Sequence, residues 1–567
     1  MKKIIFIFCC IVFLVITVNI EAATLGESQN FNIEPTYDLS QREQLTATLV
    51  KISPQLYWYA DSSWWNSLGS DNQSKVQESL NNLTEEFEYK IYPILTSTLG
   101  QEWTPGIDRD TRITILVHPM EEEAGGYFNS GDEYPRAQSP KSNEKEMIYL
   151  NSQFINSEQA KSLLAHEFTH LISFNQKEKR YGITEETWLN EARAEYAPTL
   201  VGYDQSYAGS NLERRVKNFL DKPYDSLTEW KNKNHDYGVL NLFTQYLVDH
   251  YGVEILANSL KMQKTGISSL NAALSQKGFS EDFSKIFTNW TIAILVNDCN
   301  LGPKYCYLNQ NLKNLHVTPL TNFLPLIGES TLSVTNTTTN WAGNWHKIVG
   351  GKGTLKFEFV GNSEVNFKIP YIIQDSTGIY SVNFLVLDSN QRGSIIISDF
   401  GTKNISLTII PSIQKKLTGF TDQEPFYTFS WSASTKQENN SQPKEENIDA
   451  LLAQIAFLQK EIARLQAELQ ALSGNTGQTC QKFNENLYFG MMNNNQVKCL
   501  QEFLDSQGIE IYPEGLITGN FLGLTQQAVI RFQEKYAAEI LSPLGLGKGT
   551  GFVGEMTRAK IDEILGK

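Results

Sequence analysis

Residues 166 to 170 read His166-Glu167-Phe168-Thr169-His170, and two histidines at this spacing share one helix face, where both imidazoles can reach one metal ion. The flanking sequence supports a helix: Ser157 is a candidate N-cap, and neither Pro nor Gly interrupts Glu158 to Phe174. Leu164, Phe168 and Leu171 fall on the opposite face, so that face can enter a core while the histidines line a cleft. With 7 histidines in 567 residues, a chance match to this motif arises in roughly one such chain in a hundred. A second helical stretch follows, Asn190-Glu191-Ala192-Arg193-Ala194-Glu195. Glu191 offers a carboxylate suited to be a third zinc ligand. Glu195, one turn on along the same face, can accept a proton from the free ring nitrogen of a ligand histidine and so fix its tautomer. Three protein ligands leave the fourth position to water, the arrangement of a catalytic rather than a structural zinc.

The elements that must position these residues are legible in outline. From about 24 to 325 strands mix with helices. Arg112 to His118 and Glu146 to Asn151 read as strands, and Ser157 to Asn175, Glu185 to Val201 and Gly238 to His250 as helices. Short β-rich runs between Gly, Asn and Asp fill 328 to 433 and predict a β-sandwich, with Trp341 and Trp345 expected in a core. Residues 434 to 447 are a polar linker. A heptad follows over 448 to 472, with Ile448, Ile455, Ile462 and Leu469 at a and Leu451, Leu458, Leu465 and Leu472 at d, which suits either a coiled-coil helix pairing two chains as a parallel homodimer or one amphipathic helix docked on a neighbouring domain. Residues 480 to 567 form a small helical module carrying two cysteines, and no internal repeat stands out.

At this point the motifs resemble a known family. HEFTH followed by WLNEARAE looks like the gluzincin metallopeptidases of the thermolysin-like clan, and HEFTHLISFNQK with WLNEARAEYAP is most similar to the hyicolysin-like family. The resemblance covers about residues 40 to 320. It implies an α+β zincin-like domain in which His166, His170 and Glu191 bind one zinc, Glu167 is the general base and Glu195 stands behind the ligands. It also implies a polypeptide substrate extended along an edge strand, for which Glu146 to Asn151 is the expected one. The oxyanion then needs a further donor; Tyr237 is the candidate and His235 its rival. The tail resembles the peptidoglycan-binding domain of bacterial wall hydrolases, on Leu500-Gln501, Thr518-Gly519, Thr525, Ala528-Val529, Phe532-Gln533, Gly551-x-x-Gly554 and Thr557. It departs from that pattern by an insertion, Ala537 to Lys548, and by its cysteines. The resemblance implies peptidoglycan or another envelope component as partner.

The rest of the chain bounds the setting. Met1-Lys2-Lys3, the apolar run Ile4 to Ile16 and Ala22-Ala23 read as a secretory signal peptide over 1 to 23, so a secreted or envelope-associated protein is expected. Net charge is −15 and pI about 5.1, which argues against nucleic acid and polybasic membrane binding. Cys299 with Cys306 and Cys480 with Cys499 suit two local disulfides, though spacing alone does not choose among the connectivities. Glu121-Glu122-Glu123 with Asp132 and Glu133 is either solvated loop charge or a calcium cluster. His118, His250, His316 and His346 read as structural, His250 as a cation closing a helix. Two other functions compete with an exported zinc endopeptidase: an adhesive envelope protein with a vestigial peptidase domain, and a hydrolase of peptidoglycan peptides. Intact His166, Glu167, His170 and Glu191 favour the peptidase.

Overall fold

Period-two alternation sends the side chains of three buried strands into two separate cores. These strands, β3 (Leu56–Asp61), β4 (Ile113–His118) and β6 (Met147–Asn151), run parallel at the centre of a six-stranded sheet with β1 (Ser28–Asn32), β2 (Gln44–Ile52) and β5 (Gly126–Tyr127). The order is β1-β2-β3-β4-β6-β5, and the outer pairings are antiparallel. Trp58, Ala60, Ile113, Ile115, Val117, Ile148 and Leu150 face helices, packing with Phe87, Leu164, Phe168 and Leu171. Tyr57, Tyr59, Leu116, Met147 and Tyr149 face the other way, onto Phe31, Leu45, Leu49 and Tyr127. The expected substrate edge is therefore displaced: β6 lies inside the sheet, and the edge is β5, paired Gly126 to Leu150 and Tyr127 to Tyr149.

In this computed structural model residues 23–326, 328–436, 483–491, 494–513 and 515–566 are described. The signal peptide up to residue 22, most of the linker, the heptad helix and Cys480 lie outside the described residues. Among those described, no helix is long and apolar enough to cross a membrane. The chain divides into two units, Met1–Gln459 and Lys460–Lys567.

Four helices of the first unit build the cleft. The histidine helix spans Gln159–Phe174 and starts at Glu158 with no side-chain cap, because the Ser157 hydroxyl donates instead to the Phe154 carbonyl at 2.7 Å. The glutamate helix, Thr187–Val201, stops at Gly202, whose φ of 89° is a left-handed conformation that favours glycine. The arginine helix, Asn211–Asp221, is capped by the Ser210 side chain, which accepts from the Glu213 amide. The tyrosine helix runs from Asn234 to Tyr251, starting before the expected Gly238 because Asp236 accepts the amides of Lys231 and Lys233 at 2.9 and 2.8 Å. The last three share a core of Trp188, Leu212, Val216, Phe219, Val239 and Phe243, which Trp290 of a further helix completes, while the histidine helix packs on the sheet.

Nine strands from Leu320 to Lys436 form one sheet ladder around Phe357, Phe359, Leu407, Phe429 and Trp431. Trp341 and Trp345 are buried against the helical core, as their sequence context predicts. Their indoles donate to the carbonyls of Lys416 at 2.6 Å and Thr291 at 2.9 Å. Cys299 and Cys306 form a disulfide with Cα atoms 5.0 Å apart. His250 is not the expected cation: burial lowers its pKa, and its Nε2 lies 2.8 Å from the Cys306 carbonyl, so a neutral ring donates there.

The second unit contains a repeat that residue identity conceals. The Gln501 amide oxygen accepts from the Thr518 and Gly519 amides while its nitrogen donates to Thr525. Gln533 makes the same three bonds to Thr550, Gly551 and Thr557 at identical spacing. Both glutamines are buried. Gln533→Ala strands two backbone donors, so a loss of about 1–3 kcal/mol in the urea unfolding of the full chain is expected, equalled by Gln501→Ala.

Asp132 and Glu133 are neither solvated nor joined to Glu121, Glu122 and Glu123 in a ligand cluster among the described residues; both are buried. Asp132 accepts from Tyr149 at 2.6 Å and from the Asn143 amide at 2.7 Å, while the Glu133 carboxylate finds no donor. Burial pushes Asp132 up to about 6 and Glu146 up to about 7, and burial beside Glu146 raises Glu133 well above the carboxylate range. A carboxyl with a raised folded pKa holds its proton more tightly folded than unfolded, so its contribution is fully present below the unfolded value and lost as pH rises through the folded one. Glu133→Gln is expected to gain about 1–3 kcal/mol on the parent between pH ~4.5 and ~7, read from denaturation midpoints across that range.

Candidate metal centre

Packing the apolar face of the histidine helix into the sheet leaves His166, Glu167 and His170 facing the glutamate helix. His166 Nε2 lies 3.3 Å from Glu191 Oε2, and His170 Nε2 lies 3.7 Å from Glu191 Oε1. One ligand atom from each of the three falls within 4.8 Å of the others. The donor set is two imidazoles and a carboxylate, which suits zinc. Glu167 Oε2 is buried without a hydrogen-bond donor, so the arrangement fits a cation held beside it.

Glu195, expected behind the candidate ligands, approaches His166 from the side away from Glu191. Glu195 Oε1 lies 3.3 Å from His166 Nδ1, which leaves Nε2 turned toward Glu191. Glu195 is only 2% exposed, and such a carboxylate needs a strong partner to stay ionised. Arg215 supplies it as a fork, Nε donating to Oε2 at 2.7 Å and Nη2 to Oε1 at 2.6 Å. Asn211 adds a bond at 3.2 Å. Against burial, Arg215 and His166 hold Glu195 well below the usual carboxylate range. Burial pushes Glu167 the other way, to about 8, with Glu191 and Glu195 adding to the rise and His166 opposing it. His170 is lowered to about 4 by burial, and His166 is raised to about 10 by Glu191 and Glu195 despite burial.

A second buried network fixes where the glutamate helix begins. Glu185 accepts from Arg193 at 2.8 Å and pairs with Lys177 at 3.6 Å, and the Lys177 ammonium also donates to the carbonyl of Ser259 at 2.7 Å. Lys177 sits in the π-helical turn Asn175–Lys179 that follows the histidine helix, so this network joins the two helices behind the site.

His166 and Glu167 open onto a groove of about 480 Å³ between β5 and the arginine and tyrosine helices. Gly126 of β5 touches the site: a Cβ there would lie 2.6 Å from the Tyr149 carbonyl and 3.2 Å from Glu167. Tyr237 lines the groove, its hydroxyl donating to Asn232 at 2.9 Å and its ring lying 4.4 Å from the Arg215 guanidinium. His235 does not line it; the ring turns toward Lys222, 3.2 Å away, and Asp225. Sequence reasoning missed Tyr37 on the opposite wall, stacked on Tyr127 at 4.9 Å. Burial together with Glu191 and Glu167 raises the pKa of Tyr37, and burial with the same two and Glu195 raises that of Tyr237, so both stay protonated donors. The residue after Tyr37, Asp38, is clamped by Arg42 at 2.7 Å and lies 3.2 Å from the buried His118, which anchors the wall.

No family model matches the chain. A stretch of 204 residues is 28% identical to the neutral metalloprotease ShpI of Staphylococcus hyicus, covering 31% of this chain and 42% of that protein. This chain resembles a metalloprotease by sequence. It spans less than half the length of that relative. Among solved structures, the pre-peptidase C-terminal domain of a Bacillus anthracis collagenase aligns with 20% of this chain and 96% of its own, at 6% identity and a TM-score of 0.15. The periplasmic lysozyme inhibitor PliG of Aeromonas hydrophila aligns with 21% of this chain and 98% of its own, at 10% identity and the same TM-score of 0.15. Neither structural likeness carries an argument.

Removing the Arg215 fork leaves a buried carboxylate uncompensated. Arg215→Met is expected to cost about 3–5 kcal/mol of stability and to weaken metal binding about 10–100-fold, measured by competition with a chromogenic chelator.

Proposed function

We propose that the protein is an exported zinc endopeptidase of the gluzincin type acting on polypeptides. The observation that carries this reading is the convergence of His166, His170 and Glu191 beside a donor-free Glu167, in a groove bordered by a sheet edge. His166, His170 and Glu191 would hold the ion, which when bound supplies Lewis acidity to the scissile carbonyl and to the attacking water. Glu167 takes the proton of that water and returns it to the leaving amine. Glu195 holds His166 in the tautomer that keeps Nε2 free for the ion. Tyr237 donates to the oxyanion, with Tyr37 facing it across the groove. The substrate adds as a strand outside β5, which the absence of a side chain at Gly126 lets lie close beside Glu167.

The remaining parts of the reading concern delivery. The amino-terminal segment directs export, the strand-rich region acts as a sandwich-like spacer, the heptads pair two chains, and the carboxy-terminal module docks on peptidoglycan or another envelope component. The 28% identity to a neutral metalloprotease supports the peptidase half of this reading.

Cleavage of unfolded casein by the full chain tests it. Activity is expected in the parent, lost after chelation and restored by zinc, and absent in Glu167→Gln. Tyr237→Phe is expected to lower kcat about 10²–10³-fold with little change in KM. A folded, zinc-loaded parent that cleaves no polypeptide overturns the proposal.

A further inference from the structure

Away from the groove, a second set of ligand-type side chains converges where the arginine helix gives way to the tyrosine helix. Asp225 lies in the connecting loop, and His235 and Asp236 lie in the first turn of the tyrosine helix. One ligand atom from each falls within 4.8 Å of the other two. His235 Nε2 is 3.9 Å from Asp225 Oδ2 and 4.0 Å from Asp236 Oδ1.

The two aspartates are 6% and 1% exposed, and their outer oxygens are accounted for. Asp236 Oδ2 accepts the Lys231 and Lys233 amides, and Asp225 Oδ1 accepts from the Lys222 ammonium at 2.6 Å. Their inner oxygens, Asp225 Oδ2 and Asp236 Oδ1, are buried and receive no donor among the described residues. Lys222 also donates to His235 Nε2 at 3.2 Å, which marks that nitrogen as the lone-pair side of a neutral ring. An imidazole lone pair and two anionic oxygens thus face one another, and buried like charges in that position need a proton or a cation between them. A shared proton would account for the two carboxylates but gives no role to an imidazole acceptor as the third member.

We infer that Asp225, His235 and Asp236 form a second divalent-metal site, independent of the peptidase reading. One nitrogen and two carboxylate oxygens select a first-row ion such as Zn²⁺ or Mn²⁺ rather than Ca²⁺, which prefers an all-oxygen shell. The Lys222 side chain is 31% exposed, so it can move out to solvent as the ion enters. The ion ties the Asp225 loop to the turn that carries Asn232 and Tyr237, and so stiffens one wall of the groove.

The test is the zinc content of the full chain after equilibration with excess Zn²⁺ and gel filtration, with the melting temperature read alongside. Two ions per chain are expected in the parent and one each in Asp225→Asn, His235→Gln and Glu191→Gln, while Asp225→Asn/Glu191→Gln holds none. Lys222→Ala, which removes the competing ammonium, is expected to tighten the second ion several-fold. A parent holding one ion that only Glu191→Gln removes overturns the inference, as does an Asp225→Asn variant that melts higher with unchanged zinc, the signature of a shared proton. Loss of the ion dependent on Glu191, with the other retained, counts against the peptidase reading alone.

Discussion

A carboxylate withdrawn from water stays charged only if another charge meets it, and Glu195 is where this molecule faces that demand. Arg215 answers with both arms of its guanidinium, and this single pair fixes three things at once. It sets the spacing between the arginine and glutamate helices. It leaves Glu195 with an oxygen aimed at His166, which orients that imidazole. It also places a flat cation against the Tyr237 ring, so the residue opposite the ligands is seated by the group that steadies them. A neutral side chain at 215 could fill the space but could hold none of these relationships.

The groove exists because the two halves of the amino-terminal region have separate cores. The histidine helix belongs to the sheet and the tyrosine helix to the helical core, with the glutamate helix between them. Both networks of buried charge, Lys177–Glu185–Arg193 and His166–Glu195–Arg215, lie where these bodies meet. Charged groups held in forks and short bonds resist the sliding that purely apolar contacts would permit, which suits a candidate site built from different helices. At the open side, Gly125 and Gly126 remove side chains where β5 passes Leu163 and Glu167, so the sheet edge stays accessible beside the ligands.

Much of this arrangement was legible in the sequence, and what was not has identifiable causes. The pairings of His166 with His170 and of Glu191 with Glu195 followed from helical spacing, because positions one turn apart meet wherever a helix is straight. Tyr37 was not found, since it sits in an irregular segment between strands, and long-range contacts, among them the Tyr127 stack and the Glu121 amide on its carbonyl, bring it to the groove. Arg215 left a faint signal, a charged residue beside Val216 and Phe219 on the buried face of its helix. The edge strand was misplaced because β5 has two residues, too few for alternation to register. His235 and Tyr237 were inseparable by sequence, being two residues apart at a helix start where the exit direction depends on the cap. Asp132 and Glu133 looked solvated because charge density suggests exposure, whereas Asp132 lies against Tyr149 and Glu133 is buried beside Glu146.

The paired glutamine latches of the carboxy-terminal unit show how a small module can be made without a large apolar core. Each half closes one Thr-Gly turn through a single buried amide, and the halves share Leu500, Leu504, Val529 and Phe532 between them. Each half repeats the other's helix, turn and buried amide at the same spacing, and the apolar faces of both are covered by one shared core. Two equivalent latches mean that a binding role placed on one turn would leave the other to hold the module together.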